Sequence, residues 1–131
     1  EINALFTGDT LFSLGCGRIF EGTYTEMFNS LNKLKKFPKN TKIYCGHEYT
    51  KKNADFCIDI DQNNSKLINK IKDINESIKK NEHTIPSTLE DELACNIFLR
   101  ADNLEIQKQV GVNQADPIKT FIKLRDLKDN F

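Results

Sequence analysis

Two short apolar runs, each closed by a glycine and then a polar residue, bracket a single amphipathic helix within the first fifty residues. Residues 3–7 read as a short buried strand that ends at Gly8-Asp9, and residues 42–45 read as a second strand that ends at Gly46-His47. Between them lies a glycine-bearing loop, Gly15-Cys16-Gly17 and then Glu21-Gly22. A punctuated helix follows: Thr23 and Glu26 form a capping box, each able to satisfy a free N–H at the helix start. Tyr24, Met27, Phe28, Leu31 and Leu34 then recur at helical spacing on one face, and Pro38 marks the exit. Strand, loop, helix, strand is an α/β signature. In such folds sites collect at strand ends, where loops hold side chains clear of the packed sheet.

After Tyr49 the pattern is helical. Residues 51–60 form one candidate helix. Residues 65–78 form a better one, with Leu67, Ile68, Ile71, Ile74 and Ile78 as an apolar stripe. Ser87 and Glu90 make a second capping box, opening a short helix through Leu93. Residues 104–110 read as a helix closed by Gly111. The last helix starts at Asp116-Pro117, a cap followed by proline at the first helical position, and turns Ile118, Phe121, Ile122 and Leu124 inward. Gln62-Asn63-Asn64 reads as a loop between helices. The chain therefore divides into an α/β part, residues 1–50, and a helical part, residues 51–131.

Several function classes lose support on composition. The 131 residues carry 19 basic and 19 acidic side chains, so no global field favours nucleic acid or an acidic membrane. No apolar run approaches the roughly 20 residues that span a bilayer. Cys16, Cys45, Cys57 and Cys95 form no C-x-x-C pair and read as reduced thiols of a cytoplasmic type, with an organellar form left open. The chain opens at Glu1-Ile2-Asn3 without Met and enters a strand at once, which reads as a start inside a larger domain.

Asp9 and His47 are the candidates for chemistry. Adjacent strands ending in a carboxylate and an imidazole can supply two ligands to one metal ion. A glycine before each lets the backbone pass close to something bulky. The competing reading is a turn aspartate and a capping histidine, and these residues alone do not decide between them.

Five segments in order carry a resemblance: Phe6-Thr7-Gly8-Asp9-Thr10-Leu11-Phe12, Gly15-Cys16-Gly17-Arg18-Ile19-Phe20-Glu21-Gly22, Tyr44-Cys45-Gly46-His47-Glu48-Tyr49-Thr50, Pro86-Ser87-Thr88-Leu89-Glu90-Asp91-Glu92, and the ending from Leu124 to Phe131. Together they resemble the glyoxalase II family of the metallo-β-lactamase superfamily, over its C-terminal portion. The resemblance implies an α/β fold: the C-terminal part of a metallo-β-lactamase-type αββα sandwich, followed by an all-helical glutathione-binding domain. It implies hydrolysis of S-(2-hydroxyacyl)glutathione, such as S-D-lactoylglutathione, to glutathione and a 2-hydroxy acid. The family's cofactor is two divalent metal ions, zinc with iron or manganese as alternatives. The residue matching Asp9 bridges them and the one matching His47 binds one of them. A bridging hydroxide formed at neutral pH attacks the thioester. The family's remaining ligands, a Thr-His-x-His-x-Asp-His run and one further histidine, are not in this sequence. His83, in a polar stretch, reads as solvent-facing.

By the same resemblance Arg18, Arg125 and Lys128 are the cations for the glutathione carboxylates, and Tyr49 hydrogen-bonds its peptide part. Arg125 and Lys128 stand three apart, so their heads can converge; a solvated surface pair is the competing reading. Vertebrate members of the family carry Lys at position 18 and Tyr at position 20, so Phe20 is assigned to packing or pocket lining. Cys45 is expected to support or pack rather than attack. The implied partner is a glutathione thioester, with no nucleic acid, no membrane and a monomer when full length. An alternative is a catalytically inactive chain that at most binds glutathione conjugates, since two ligands cannot hold a binuclear centre. A glutathione persulfide dioxygenase with one iron is disfavoured by the helical tail after Ile60 and by the Cys45–Thr50 motif.

Overall fold

The computed structural model describes residues 3–19, 23–112 and 116–131. Phe20, Glu21 and Gly22, read above as pocket lining and loop, lie outside the described residues. Strand β1 (Ala4–Gly8) is followed by a hairpin, β2 (Leu11–Phe12) and β3 (Gly15–Cys16). Helix α1 (Tyr24–Leu34) leads to β4 (Lys42–Cys45). Helices α2 (Thr50–Ile60) and α3 (Ser65–Lys79) come next, then β5 (Ser87–Thr88), α4 (Leu89–Cys95), a 3-10 turn (Ile97–Leu99), α5 (Leu104–Gln109) and α6 (Pro117–Asp129). The fold is mixed α/β, with small sheets and six α-helices among the described residues.

The β1–α1–β4 unit gives a parallel pair, because a helix returns the chain to the same end of the sheet. β5 adds to β4 antiparallel, pairing Lys42 with Thr88 and Ile43 with Ser87. Residues 87–88 of the helical part thus enter the sheet built by the first fifty. One core spans both parts: Leu11, Leu14, Leu31 and Ile43 pack with Phe56, Leu67, Leu89, Phe98, Phe121 and Leu124. Burying each such side chain contributes roughly 1.5–3 kcal/mol. The Thr23 and Asp116 caps hold as read, accepting from the Glu26 and Lys119 amides.

Four local readings change. β1 is an edge strand that pairs only with β4 among the described residues, so it is half-exposed rather than buried. Phe6 stands 82% exposed and stacks on Tyr44. On α3, Leu67 and Ile74 are buried and Ile71 packs on the core, but Ile68 and Ile78 are exposed. Ile68 lies about 100° around the helix from Leu67, and Ile78 sits in the last turn. The cap of α4 is Thr88, not Ser87: Thr88 accepts from the Asp91 amide, while Ser87 is taken up by β5. The loop at 15–17 begins as strand β3, paired back on β2.

Inside this core Glu92 is 0% exposed. Burial pushes its carboxyl up to about 8, against the opposing pull of the Leu14 amide that it accepts and of Lys70; Asp91 adds to the rise. The unfolded chain releases this proton near the ordinary value of 4.5, whereas the folded chain holds it to about 8. Between those values the folded state binds more protons, so stability falls as pH rises through the window. Glu92→Gln cannot ionise, and its melting temperature is expected to decline less between pH 5 and pH 8, by up to a few kcal/mol in stability. Melting curves of both proteins across that range check this; parallel slopes would contradict it.

Candidate functional site

The site starts from parallel register. β1 and β4 run the same way and finish side by side, with Gly8 opposite Cys45 after a register shift between Phe6 and Gly8. The Gly46 amide donates to the Gly8 carbonyl at 2.8 Å, which zips the two strand ends together. The residues just beyond, Asp9 and His47, are therefore neighbours: His47 Nδ1 stands 3.0 Å from Asp9 Oδ1. Both side chains are largely open to solvent, at 69% and 51% exposure for Asp9 and His47.

The two glycines serve different ends. Gly8 adopts φ +53, a left-handed turn that glycine takes without strain, and a Cβ there would meet nothing within 4 Å. Close approach is the reason only at Gly46, where a Cβ would stand 2.8 Å from Asp9 Oδ1 and 3.2 Å from the Gly8 carbonyl.

The turn after β4 is held on all sides. Cys45 Sγ donates to the His47 carbonyl. Glu48 accepts from the Thr84 amide and hydroxyl and from the Thr50 hydroxyl. Burial works against ionisation of Glu48, but the bonds from Thr84 and Thr50 prevail and hold its carboxyl below the usual range. The Tyr49 ring lies parallel to the His47 ring, centroids 5.1 Å apart, and Phe12 meets Tyr49 edge-on at 5.2 Å. His83 is exposed, as read from sequence.

Asp9 and His47 open onto a cleft of about 450 Å³ that Phe12, Cys16, Gly17, Arg18, Tyr49, Lys52, Asn53, Arg125 and Lys128 also line. All six residues singled out in the sequence thus reach one cavity. Their situations differ. Arg125 is 3% exposed, which rules out a solvated surface pair for it. Its Nη1 donates to the Cys16 carbonyl at 2.7 Å and to that of Gly17 at 3.4 Å. Its Nε and Nη2 both donate to Asp129, at 3.1 and 2.8 Å. Arg18 is exposed, with Nε 3.6 Å from the same Asp129 oxygen. Lys128 is half-buried, its ammonium 6.0 Å from the centre of the Phe56 ring. Burial, and then the Arg125 and Arg18 charges, lower its pKa.

Asp129, Lys52 and Asn53 were not singled out from sequence. Asp129 had a signal, since it stands four residues after Arg125 on one helix face. Lys52 and Asn53 had none beyond their place in the first turn of α2. Burial pushes the Cys16 thiol up to about 11 even though Arg125 opposes it, so this cleft thiol is not a nucleophile at neutral pH.

As a metal site the donor types suit a divalent cation, and a 3.0 Å separation is compatible with a direct hydrogen bond or with shared coordination. The number falls short. No group of three His, Cys, Asp or Glu that could hold a metal ion exists among the described residues. Asp9 and His47 thus offer two donors, fewer than a metal centre needs.

Residues 48–131 match a family model described as the hydroxyacylglutathione hydrolase C-terminus. Curated proteins named hydroxyacylglutathione hydrolase are similar over nearly the whole chain. The one from Pelagibacter ubique is 59% identical over 128 residues, 98% of this chain and 48% of its own length. The one from Bartonella quintana is 47% identical over 98% of this chain and 51% of its own. The one from Rippkaea orientalis is 47% identical over 100% of this chain and 50% of its own. The chain spans about half the length of the curated relatives it matches.

Proposed function

This chain belongs to the hydroxyacylglutathione hydrolase C-terminus family, and from that membership we propose that the full-length protein carrying it hydrolyses S-(2-hydroxyacyl)glutathione thioesters. The observation that carries the reading is the placing of Asp9 and His47, 3.0 Å apart, on the same cleft as Arg18, Tyr49, Arg125 and Lys128. The fold proposed for the full-length protein is a metallo-β-lactamase-type αββα sandwich to which β1, α1 and β4 contribute. Its location is proposed as cytoplasmic, where the four unpaired thiols would stay reduced.

Asp9 and His47 would hold divalent cations (zinc, iron or manganese) together with ligands from elsewhere in the full-length protein, and such ions supply hydroxide at neutral pH and polarise a carbonyl. The chain's own residues do the rest. Asp9 brings a negative charge that offsets cation repulsion. Tyr49, stacked on His47, keeps the imidazole plane fixed, and no hydrogen bond among the described residues occupies its hydroxyl, so it can meet the peptide part of the substrate. Glutathione carries two carboxylates, which Arg18, Lys128 and the edge of Arg125 would receive. A thiolate leaves readily and needs no strong acid, which fits a cleft whose only described thiol stays neutral.

A second reading has its own support: two ligands do not make a binuclear centre, so the chain by itself would bind glutathione conjugates without cleaving them. One experiment separates the readings. Thiol release from S-D-lactoylglutathione is measured for the full-length protein and for this chain, with metal content of each by elemental analysis. Turnover and two metals are expected in the full-length protein only. A metal-loaded full-length protein that releases no thiol would end the first reading; two tightly held metals in the chain alone would end the second.

A further inference from the structure

What fixes the β2–β3 hairpin comes from outside it. Its tip is Ser13-Leu14, and Leu14 sits at φ 61, a left-handed conformation that costs a β-carbon residue about 1–2 kcal/mol. No glycine or asparagine eases this turn. Instead, side chains of α2, α4 and the residue after α4 meet its backbone groups one by one. The Leu14 amide donates to Glu92, at 2.7 Å to Oε1 and 3.1 Å to Oε2. The Ser13 carbonyl accepts from Asn53 Nδ2 at 3.1 Å, and the Leu14 carbonyl from Cys57 Sγ at 3.2 Å. The Gly15 carbonyl accepts from Asn96 Nδ2 at 3.0 Å. Gly15 lies so close to Asn53 that a Cβ would stand 2.5 Å from Nδ2.

Glu92 is the anomaly in this set. It is fully buried, and no cation lies within ion-pair distance of it among the described residues. Burying a carboxyl without a cation is costly, and an apolar side chain in its place would cost nothing of the kind. Among the described residues, the one hydrogen-bonded partner of its carboxyl is the amide of the strained residue. From that tip both strands run into the cleft. β2 delivers Phe12, whose ring meets Tyr49 and His47 edge-on. β3 delivers Cys16, Gly17 and then Arg18 to the cationic wall.

We propose that Glu92 is a positioning residue for the thioester site: by holding the Leu14 amide it sets the hairpin whose far ends place Phe12 beside His47 and Tyr49, and Arg18 where a substrate carboxylate arrives. The inference rests on the function proposed above. It assigns Glu92 no contact with substrate. A neutral carboxyl accepts through its carbonyl oxygen, so glutamine is its close isostere, whereas leucine keeps the bulk and removes the acceptor.

The test compares Glu92→Gln, Glu92→Leu and Glu92→Asp in the full-length protein. Two substrates are used: S-D-lactoylglutathione and a small lactoyl thioester without carboxylates. Melting curves verify that each variant folds. Glu92→Gln is expected to keep KM and kcat within about twofold of the parent. Glu92→Leu should raise KM for the glutathione thioester about tenfold, equivalent to about 1.4 kcal/mol, with kcat within about threefold. KM for the small thioester should hardly move. Glu92→Asp, whose acceptor is shorter by one methylene, should raise KM for the glutathione thioester a few-fold, and it decides the matter if the leucine variant does not fold. An unchanged KM in a folded leucine or aspartate variant overturns the proposal. So does an equal loss on both substrates, which marks a general structural defect, or a glutamine variant as impaired as the leucine one. A parent that cleaves neither thioester is a different result: the proposed function itself fails, and this role falls with it.

Discussion

Asp9→Ala in the full-length protein is expected to lower kcat/KM for S-D-lactoylglutathione by more than the roughly 10–100-fold that the loss of a group supporting a metal ligand costs, because Asp9 is proposed as a ligand itself. Folding should survive the change. The Asp9 side chain is 69% exposed and its one side-chain hydrogen bond among the described residues is with His47, and substitutions of that kind usually stay within about 0.5 kcal/mol. Bound metal should fall in parallel with activity, while the melting curve of metal-free protein stays where it was. Asp9→Asn sharpens the argument. The amide can keep the hydrogen bond to the His47 ring but not the negative charge, so a charge-dependent role predicts that it fails nearly as badly as alanine. Near-normal turnover in either variant would mean that the 3.0 Å pair is a turn contact and nothing more.

That pair was legible in the sequence because the signals for it were local and strong. Strand, capped helix and strand fix a parallel pair, and parallel strands end together. The residue after each terminal glycine then has nowhere else to go. The caps at Thr23 and Asp116 and the helices they open were legible for the same reason. The hairpin was not. Its strands are two residues each, and its turn carries Leu14 at positive φ where a sequence reader looks for glycine or asparagine. The bonds that hold it span 40 to 84 positions, from Asn53, Cys57, Glu92 and Asn96, and no window of neighbouring residues contains them. β5 escaped likewise, because Ser87 and Thr88 look like a cap until β4 is beside them. The burial of β1 was overestimated because an apolar strand says nothing about what lies on its outer side.

Arg125 carries the second large expectation, and it is where membership in the family and local chemistry pull on one side chain. Four of its hydrogen bonds go to the chain itself: two carbonyls of the segment leading to Arg18 and the Asp129 carboxylate, twice. Its guanidinium also lies 5.2 Å from the centre of the Phe98 ring. Arg125→Met keeps the length and loses all of this, leaving Asp129 with only the exposed Arg18, 3.6 Å away, and the Cys16 carbonyl without its donor. Breaking a fully buried pair costs about 3–5 kcal/mol, and the loss here should fall below that range because Asp129 is 35% exposed and solvent screens its charge. KM should rise as well, since the Cys16–Arg18 segment loses its tie to α6. Lys128→Ala is the contrast: its ammonium has no carboxylate partner among the described residues, so stability should move by less than about 1 kcal/mol while KM rises about tenfold. Adding Asp129→Asn to Arg125→Met removes the charge that Arg125 balanced and should recover part of the stability but none of the KM. Denaturant midpoints and steady-state kinetics on the four proteins separate the two effects. If Arg125→Met unfolds at the parent's midpoint and only KM changes, the guanidinium is a substrate ligand first and a clamp second, and the closed geometry around Asp129 gives way when substrate binds.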